Sequence, residues 1–171
     1  MTRMITLIGS TDRPSRELGL TTRPAGLEDA EALARLMFSS YEDGRVNTQE
    51  DALKLVTAVL DGTNGEFYAE ASPVVEDDHG RIVAAALCLK NRVDGVPPED
   101  KATIFELFTA ASRRREGLAE KLIRQAVAQM KEDGFTEVTV RIPEANAAAL
   151  ALYLTLEFRR WQNPNDEQEL V

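Results

Sequence analysis

Residues 103–132, TIFELFTAASRRREGLAEKLIRQAVAQMKE, hold three elements in succession. Thr103–Thr109 reads as a strand and Ala110–Glu116 as a short arginine-rich turn. Gly117–Lys131 reads as a helix, with Leu118, Leu122, Ala126, Val127 and Met130 on one apolar stripe. The turn therefore delivers the chain into a helix N-terminus. Such an end presents unpaired N–H groups and about half a positive charge, a natural seat for an anion. Arg113, Arg114 and Arg115 add charge-assisted donors there, and Gly117 permits close approach to the backbone.

Downstream, Gly134 stops the helix, Thr136–Ile142 is a strand and Asn146–Leu156 another helix. Phe158–Gln162 and Glu167–Val171 are expected to form a terminal hairpin about Asn163-Pro164-Asn165. Upstream, Asn91–Asp100 is a polar, proline-rich loop. Before it, Phe67–Glu76 and Arg81–Lys90 are strands joined by Asp77-Asp78-His79-Gly80, which predicts an antiparallel hairpin. Thr48-Gln49-Glu50-Asp51 resembles a capping box opening a helix that Gly62 ends. An earlier helix spans Leu27–Ser40, preceded by a candidate strand at Leu18–Arg23 that Pro24 ends. Residues 1–17 are expected to be a loose N-terminal extension, at most with a short edge strand at Ile5–Ile8, and residues 18–171 a single domain. The pattern predicts an α+β fold, a mixed, mostly antiparallel central sheet flanked by about four helices.

Composition bounds the function. The 171 residues are 43% hydrophobic and 29% charged, with a net charge of −9. That balance argues against nucleic-acid or anionic-membrane partners, and suits either cationic ligands or simple solubility. One cysteine, Cys88, rules out an internal disulfide, and a single histidine, His79, in a turn offers no metal site. Cys88 lies in the apolar run Ala84–Leu89, where a buried small hydrophobe is the better reading than a nucleophile. The apolar run Met4–Ile8 is too short for a secretory leader, so a cytoplasmic protein is expected.

Arg114-Arg115-Glu116-Gly117-Leu118-Ala119 fits R/Q-x-x-G-x-G/A between a strand and a helix. Asn146–Phe158 (NAAALALYLTLEF) fits N-x-x-A-x-x-L-Y-x-x-L-G-F except at Glu157. Together these resemble the motifs of the GNAT-type N-acetyltransferase superfamily, over the chain from about Leu18 onward. The resemblance implies acetyl-CoA as co-substrate, no metal, and transfer of acetyl to an amine of a small molecule or peptide by direct attack in a ternary complex. It implies that Leu107, Phe108 and Thr109 splay from the neighbouring strand to pair with the pantetheine arm. Arg114 and the backbone of Arg115, Glu116, Gly117, Leu118, Ala119 and Glu120 would hold the pyrophosphate, and Asn146 would contact the arm. Tyr153 would be the general acid, and a phenol of pKa about 10 suits protonation of a leaving thiolate.

Each assignment has a plainer counterpart. Asn146 also reads as a helix cap, and Tyr153 as a core aromatic beside Leu150 and Leu154. Glu106 is a candidate catalytic carboxylate facing the acceptor cleft, or a carboxylate on the sheet surface. Glu116 stands where the family carries glycine or a basic residue, and its carboxylate is expected to compete for the helix N–H groups and weaken the site. Arg115 and Glu157 replace family glycines, so Glu157 is expected to need a positive φ. Arg141 stands where some peptide-acetylating relatives carry a glutamate, which argues against that acceptor class. The alternative is a degenerate, non-catalytic acyl-CoA binder or sensor, and the resemblance leaves room for a homodimer. The loops 40–47 and 91–100, expected to shape the acceptor pocket, carry no readable code.

Overall fold

The computed structural model describes residues 3–14, 16–41 and 46–163. Seven strands form one sheet: β1 (Met4–Ser10), β2 (Arg23–Pro24), β3 (Pro73–Glu76), β4 (Ile82–Leu89), β5 (Ala102–Thr109), β6 (Glu137–Pro143) and β7 (Arg159–Arg160). Their order across the sheet is β2-β3-β4-β5-β6-β1-β7, and β5–β6 is the parallel pair among antiparallel ones. Four α-helices flank it: α1 (Ala30–Ser40), α2 (Gln49–Leu60), α3 (Leu118–Glu132) and α4 (Ala147–Thr155). This is the expected α+β architecture.

The two faces of the sheet carry separate apolar clusters. On one, the α3 residues Ile123, Ala126, Val127 and Met130 pack with Ile104, Val138, Val140, Ile142 and the α4 residue Tyr153. The stripe read from sequence is the buried face of α3. Full burial of a side chain such as Ile123 or Met130 stabilises by about 1.5–3 kcal/mol. On the other face Leu33, Met37, Val56 and Val59 of α1 and α2 pack on Val74, Leu87, Leu89 and Phe108. Thr48 caps α2 as expected, its hydroxyl accepting from the Asp51 N–H at 3.0 Å.

Several expectations are corrected. Residues 4–10, expected to hold at most a short edge strand at Ile5–Ile8 in a loose extension, form β1 inside the sheet, paired with all of β6 from Met4↔Pro143 to Ser10↔Glu137 and with β7 on its other edge. The apolar side chains Ile5 and Leu7 enter the α3-side core, and it is this inner position, between β6 and β7, that no local pattern announces. The candidate strand at 18–23 reduces to Arg23–Pro24. The expected strand over 67–76 is interrupted by a 3-10 turn at Ala69–Ala71, because Tyr68 is drawn into the core and its hydroxyl bonds Asp133 at the end of α3. The antiparallel hairpin itself stands, with Val74↔Ala85 in register. The partner strand expected at 167–171 lies outside the described residues, and Arg159–Arg160 pair with β1.

Among the described residues no helix is long and apolar enough to cross a membrane.

Candidate active site

The site begins where β5 and β6 part. Their parallel ladder runs through Ala102↔Val138, Thr103↔Thr139 and Ile104↔Val140 and goes no further. At the same level Leu87 of β4 faces Glu106 while Cys88 faces Ile104, so Phe105 is the extra residue of a β-bulge. A bulge bends its strand, and here it turns Leu107–Thr109 away from β6 while leaving them paired with β4. The opening is a groove of about 750 Å³ lined by Leu107, Phe108 and Thr109 on one side and Pro143, Asn146, Ala149 and Tyr153 on the other. The two sequence motifs thus meet across one groove.

At its far end lies the arginine-rich turn. Arg115 and Gly117 both take φ of 74°, and Gly117 is the N-cap of α3 with no side-chain cap bond. A Cβ at Gly117 would meet nothing within 4 Å, so glycine is required there by conformation and not by crowding. The backbone N–H groups of residues 115–120 donate to nothing among the described residues; the first helical bond is Lys121 N–H to Gly117 O at 3.1 Å. Six successive donors at a helix start, beside a cavity of about 380 Å³ lined by Arg113, Arg114 and Arg115, fit a phosphate group.

The expected competition from Glu116 does not arise. Its carboxylate accepts from Arg113 Nε at 2.7 Å and caps no helix N–H, and the pairing holds Arg113 above its ordinary pKa. Glu120 is likewise turned aside, toward Arg16 at 3.3 Å and Arg124 at 3.4 Å. Arg114 reaches across the groove mouth to the carbonyl of Ser40 at 3.1 Å.

Asn146 caps α4, its side-chain oxygen accepting from Ala149 N–H at 3.1 Å, and it also lines the groove. Tyr153 is 2% exposed, stacks edge-on against Phe158 at 5.1 Å, and lines both the groove and a smaller cavity of about 120 Å³ between the splayed strands. Burial raises its pKa well above the usual phenolic value, so the hydroxyl keeps its proton at neutral pH. Glu106 is not on the sheet surface: it is 7% exposed, lines that same small cavity and accepts from the Tyr41 hydroxyl at 2.6 Å.

Tyr41 is a site residue the sequence reading missed. It sits at the C-cap of α1 with its ring against Phe108, a contact created only by packing α1 on β5. Its hydroxyl is also 3.3 Å from the carbonyl of Leu107, and Ser40 donates to the carbonyl of Thr109 at 3.2 Å. A phenol has one proton, and the shorter contact with Glu106 claims it, so the Leu107 carbonyl is only weakly engaged. Glu157 has φ of 67°, the positive value expected of a residue standing in for glycine. Cys88 is fully buried and desolvation raises its thiol pKa, as befits a core residue. No group of three or more His, Cys, Asp or Glu able to hold a metal occurs among the described residues.

A mixed sheet that splays at its parallel pair, with the splay leading to an uncapped helix start, defines an acyltransferase-type fold. The chain belongs to the acetyltransferase (GNAT) family, whose model matches residues 30–158. It is 26% identical to N-acetyltransferase 8F1 of Rattus norvegicus over 108 residues, 62% of this chain and 48% of that one. The chain spans about half or less of the length of the curated relatives it matches. Its fold is similar to a GCN5-related N-acetyltransferase from Sphaerobacter thermophilus, with TM-score 0.67 and 19% identity over 92% of this chain and 48% of that one. It is also similar to the aminoglycoside 6'-N-acetyltransferase of Acinetobacter haemolyticus, with TM-score 0.62 and 17% identity over 84% and 94% of the two chains.

Proposed function

We propose that this chain is an acetyl-CoA-dependent N-acetyltransferase that accepts the amine and the acyl donor together in one groove. The observation that carries the reading is the run of six unpartnered N–H groups at 115–120, continuous with a groove that ends at Tyr153 and Glu106. Bound acetyl-CoA would supply an acyl group activated as a thioester. Residues 115–120 would bind its pyrophosphate through the backbone, with Arg114 as a further cation once it leaves Ser40. Leu107, Phe108, Thr109 and Asn146 would flank the pantetheine arm.

At the reacting end, the acceptor amine arrives largely protonated and must lose a proton before it can attack. Glu106, held by Tyr41, would take that proton at its carboxylate. Tyr153, kept neutral by burial, would hold a proton at its hydroxyl oxygen for the departing thiolate. Positioning of the two reactants would supply much of the acceleration. A cytoplasmic setting belongs to the same proposal, supported by the single, buried cysteine.

Calorimetric titration with acetyl-CoA, and with CoA as control, tests the cradle. Saturable binding that weakens in Arg114→Ala supports it, whereas no binding near millimolar cofactor overturns it. Tyr153→Phe keeps the ring packing and is expected to lower turnover about 100-fold with cofactor affinity unchanged. Undiminished turnover removes Tyr153 from the chemistry.

A further inference from the structure

Among the described residues, α1 and α2 cover only part of their sheet face: no residue of β6 or β1 belongs to the apolar cluster beneath those helices. Over β6 and β1 lies a pocket of about 490 Å³, with Thr6, Arg141 and Trp161 in its wall and Pro97 from the loop 91–100. Its charge is opposite to that of the chain. Arg3, Arg141 and Arg160 line it and, among the described residues, no aspartate or glutamate does, in a protein of net charge −9.

The three arginines are not equivalent. Arg3 and Arg160 share one carboxylate, Glu144, at 3.4 and 3.7 Å. Arg141 has no carboxylate partner among the described residues; its side chain donates to Thr6 Oγ1 at 3.3 Å. It is half-buried, and burial together with the charge of Arg92 pulls its pKa below the ordinary arginine value, with Asp94 opposing weakly. A partly desolvated guanidinium short of counter-charge is a site for an anion, and its planar fork suits the paired oxygens of a carboxylate or phosphate.

Arg141 also lines the cavity of about 120 Å³ between the splayed strands, with Glu106, Asn146 and Tyr153. One side chain therefore joins the basic pocket to the reacting end of the groove. The charges are ordered along that path, a carboxylate at Glu106 and a cation at Arg141. An acceptor whose amine reaches the thioester end could therefore place an anionic group against Arg141.

Resting on the N-acetyltransferase reading, we propose that Arg141 anchors an anionic group of the acceptor, so that the substrate is a primary amine that also carries a carboxylate or phosphate. Neutral amines and polycationic amines are disfavoured, since they leave Arg141 unmatched or oppose it.

The test is a set of matched acceptors: free α-amino acids against their amides, and phosphoethanolamine against ethanolamine. Thiol release from acetyl-CoA is the readout. The anionic member of at least one pair is expected to be favoured about tenfold or more in kcat/KM. Which pair responds tells carboxylate from phosphate. Arg141→Gln should collapse that preference, mostly through KM, while Arg141→Lys restores part of it. Arg159→Gln, an exposed arginine outside the pocket wall, should leave the preference intact. Equal use of charged and neutral members, or an equal loss on all acceptors in Arg141→Gln, overturns the proposal.

A binding readout independent of turnover comes from Trp161, the chain's single tryptophan, which lies in the pocket wall. Succinate and inorganic phosphate are titrated against its fluorescence, in the wild type and in Arg141→Gln. A saturable, Arg141-dependent change supports an anion site even where acetyl-CoA is neither bound nor turned over, an outcome that sinks the acetyltransferase reading alone. No change with either anion, with acetyl-CoA turnover intact and no preference for charged acceptors, sinks the anchor alone.

Discussion

Helices α2 and α3 begin in opposite ways. At α2, Thr48 is extended and folds its hydroxyl onto the Asp51 N–H, so the helix closes its own first turn. At α3, the chain enters through a left-handed Gly117 with no side-chain cap, and the donors of residues 115–120 stay open. The carboxylates that could have closed that turn are held elsewhere, Glu116 by Arg113 and Glu120 by Arg16 and Arg124. A helix start that satisfies itself serves stability, whereas one whose neighbouring acids are tied to arginines is kept ready for an outside anion.

The sharpest break in that contrast is Gly117→Val. A β-branched residue in the left-handed region costs about 1–2 kcal/mol, so either the turn shifts or the helix start frays. Acetyl-CoA affinity should fall about tenfold or more by calorimetry. Unchanged affinity would detach the cradle from the glycine. Next comes Thr48→Ala, expected to cost about 1 kcal/mol in urea unfolding with no change in cofactor affinity. An effect on affinity would mean that the two helix starts are coupled. The smallest change sharpens the contrast: Glu116→Gln removes one negative charge beside the open donors and should tighten acetyl-CoA binding about two- to fivefold, an effect that shrinks with added salt. Weaker binding would give the Arg113–Glu116 pair a shaping role that outweighs its charge.

The sequence was clearest where structure is local. Thr48, the stripe from Leu118 to Met130, and the turn at Gly117 are set by spacing within a few residues, and each was readable as such. Glu157 was readable through the motif it interrupts, because a glycine expected just after the helix end marks a left-handed turn, and Glu157 takes φ of 67° there. Pairing across the sheet was less legible. Ile5 and Leu7 lack a flanking signal, and their assignment depends on Val140 and Ile142, which nothing near them in the chain reveals. Tyr68 broke an expected strand because a buried phenol needed Asp133 from a distant helix. The same limit applies at the site. The phosphate cradle lies in one continuous stretch, while Tyr41 and Glu106 meet only after α1 packs on β5, and Arg141 joins Thr6 only after β1 docks on β6.

The position of β1 sets a constraint on how the molecule is made. Residues 4–10 emerge from the ribosome well before their hydrogen-bonding partners at 137–143. Until then Ile5 and Leu7 belong to an unpaired apolar strand, exposed to misassociation. Closure of that long loop weighs on the folding rate more than on final stability. In pulse-labelled refolding, amides of β1 and β6 should gain protection after those of the local hairpin β3–β4. The last of these seven strands to be secured would then be the earliest of them in the chain, and its docking would complete the wall that holds Arg141.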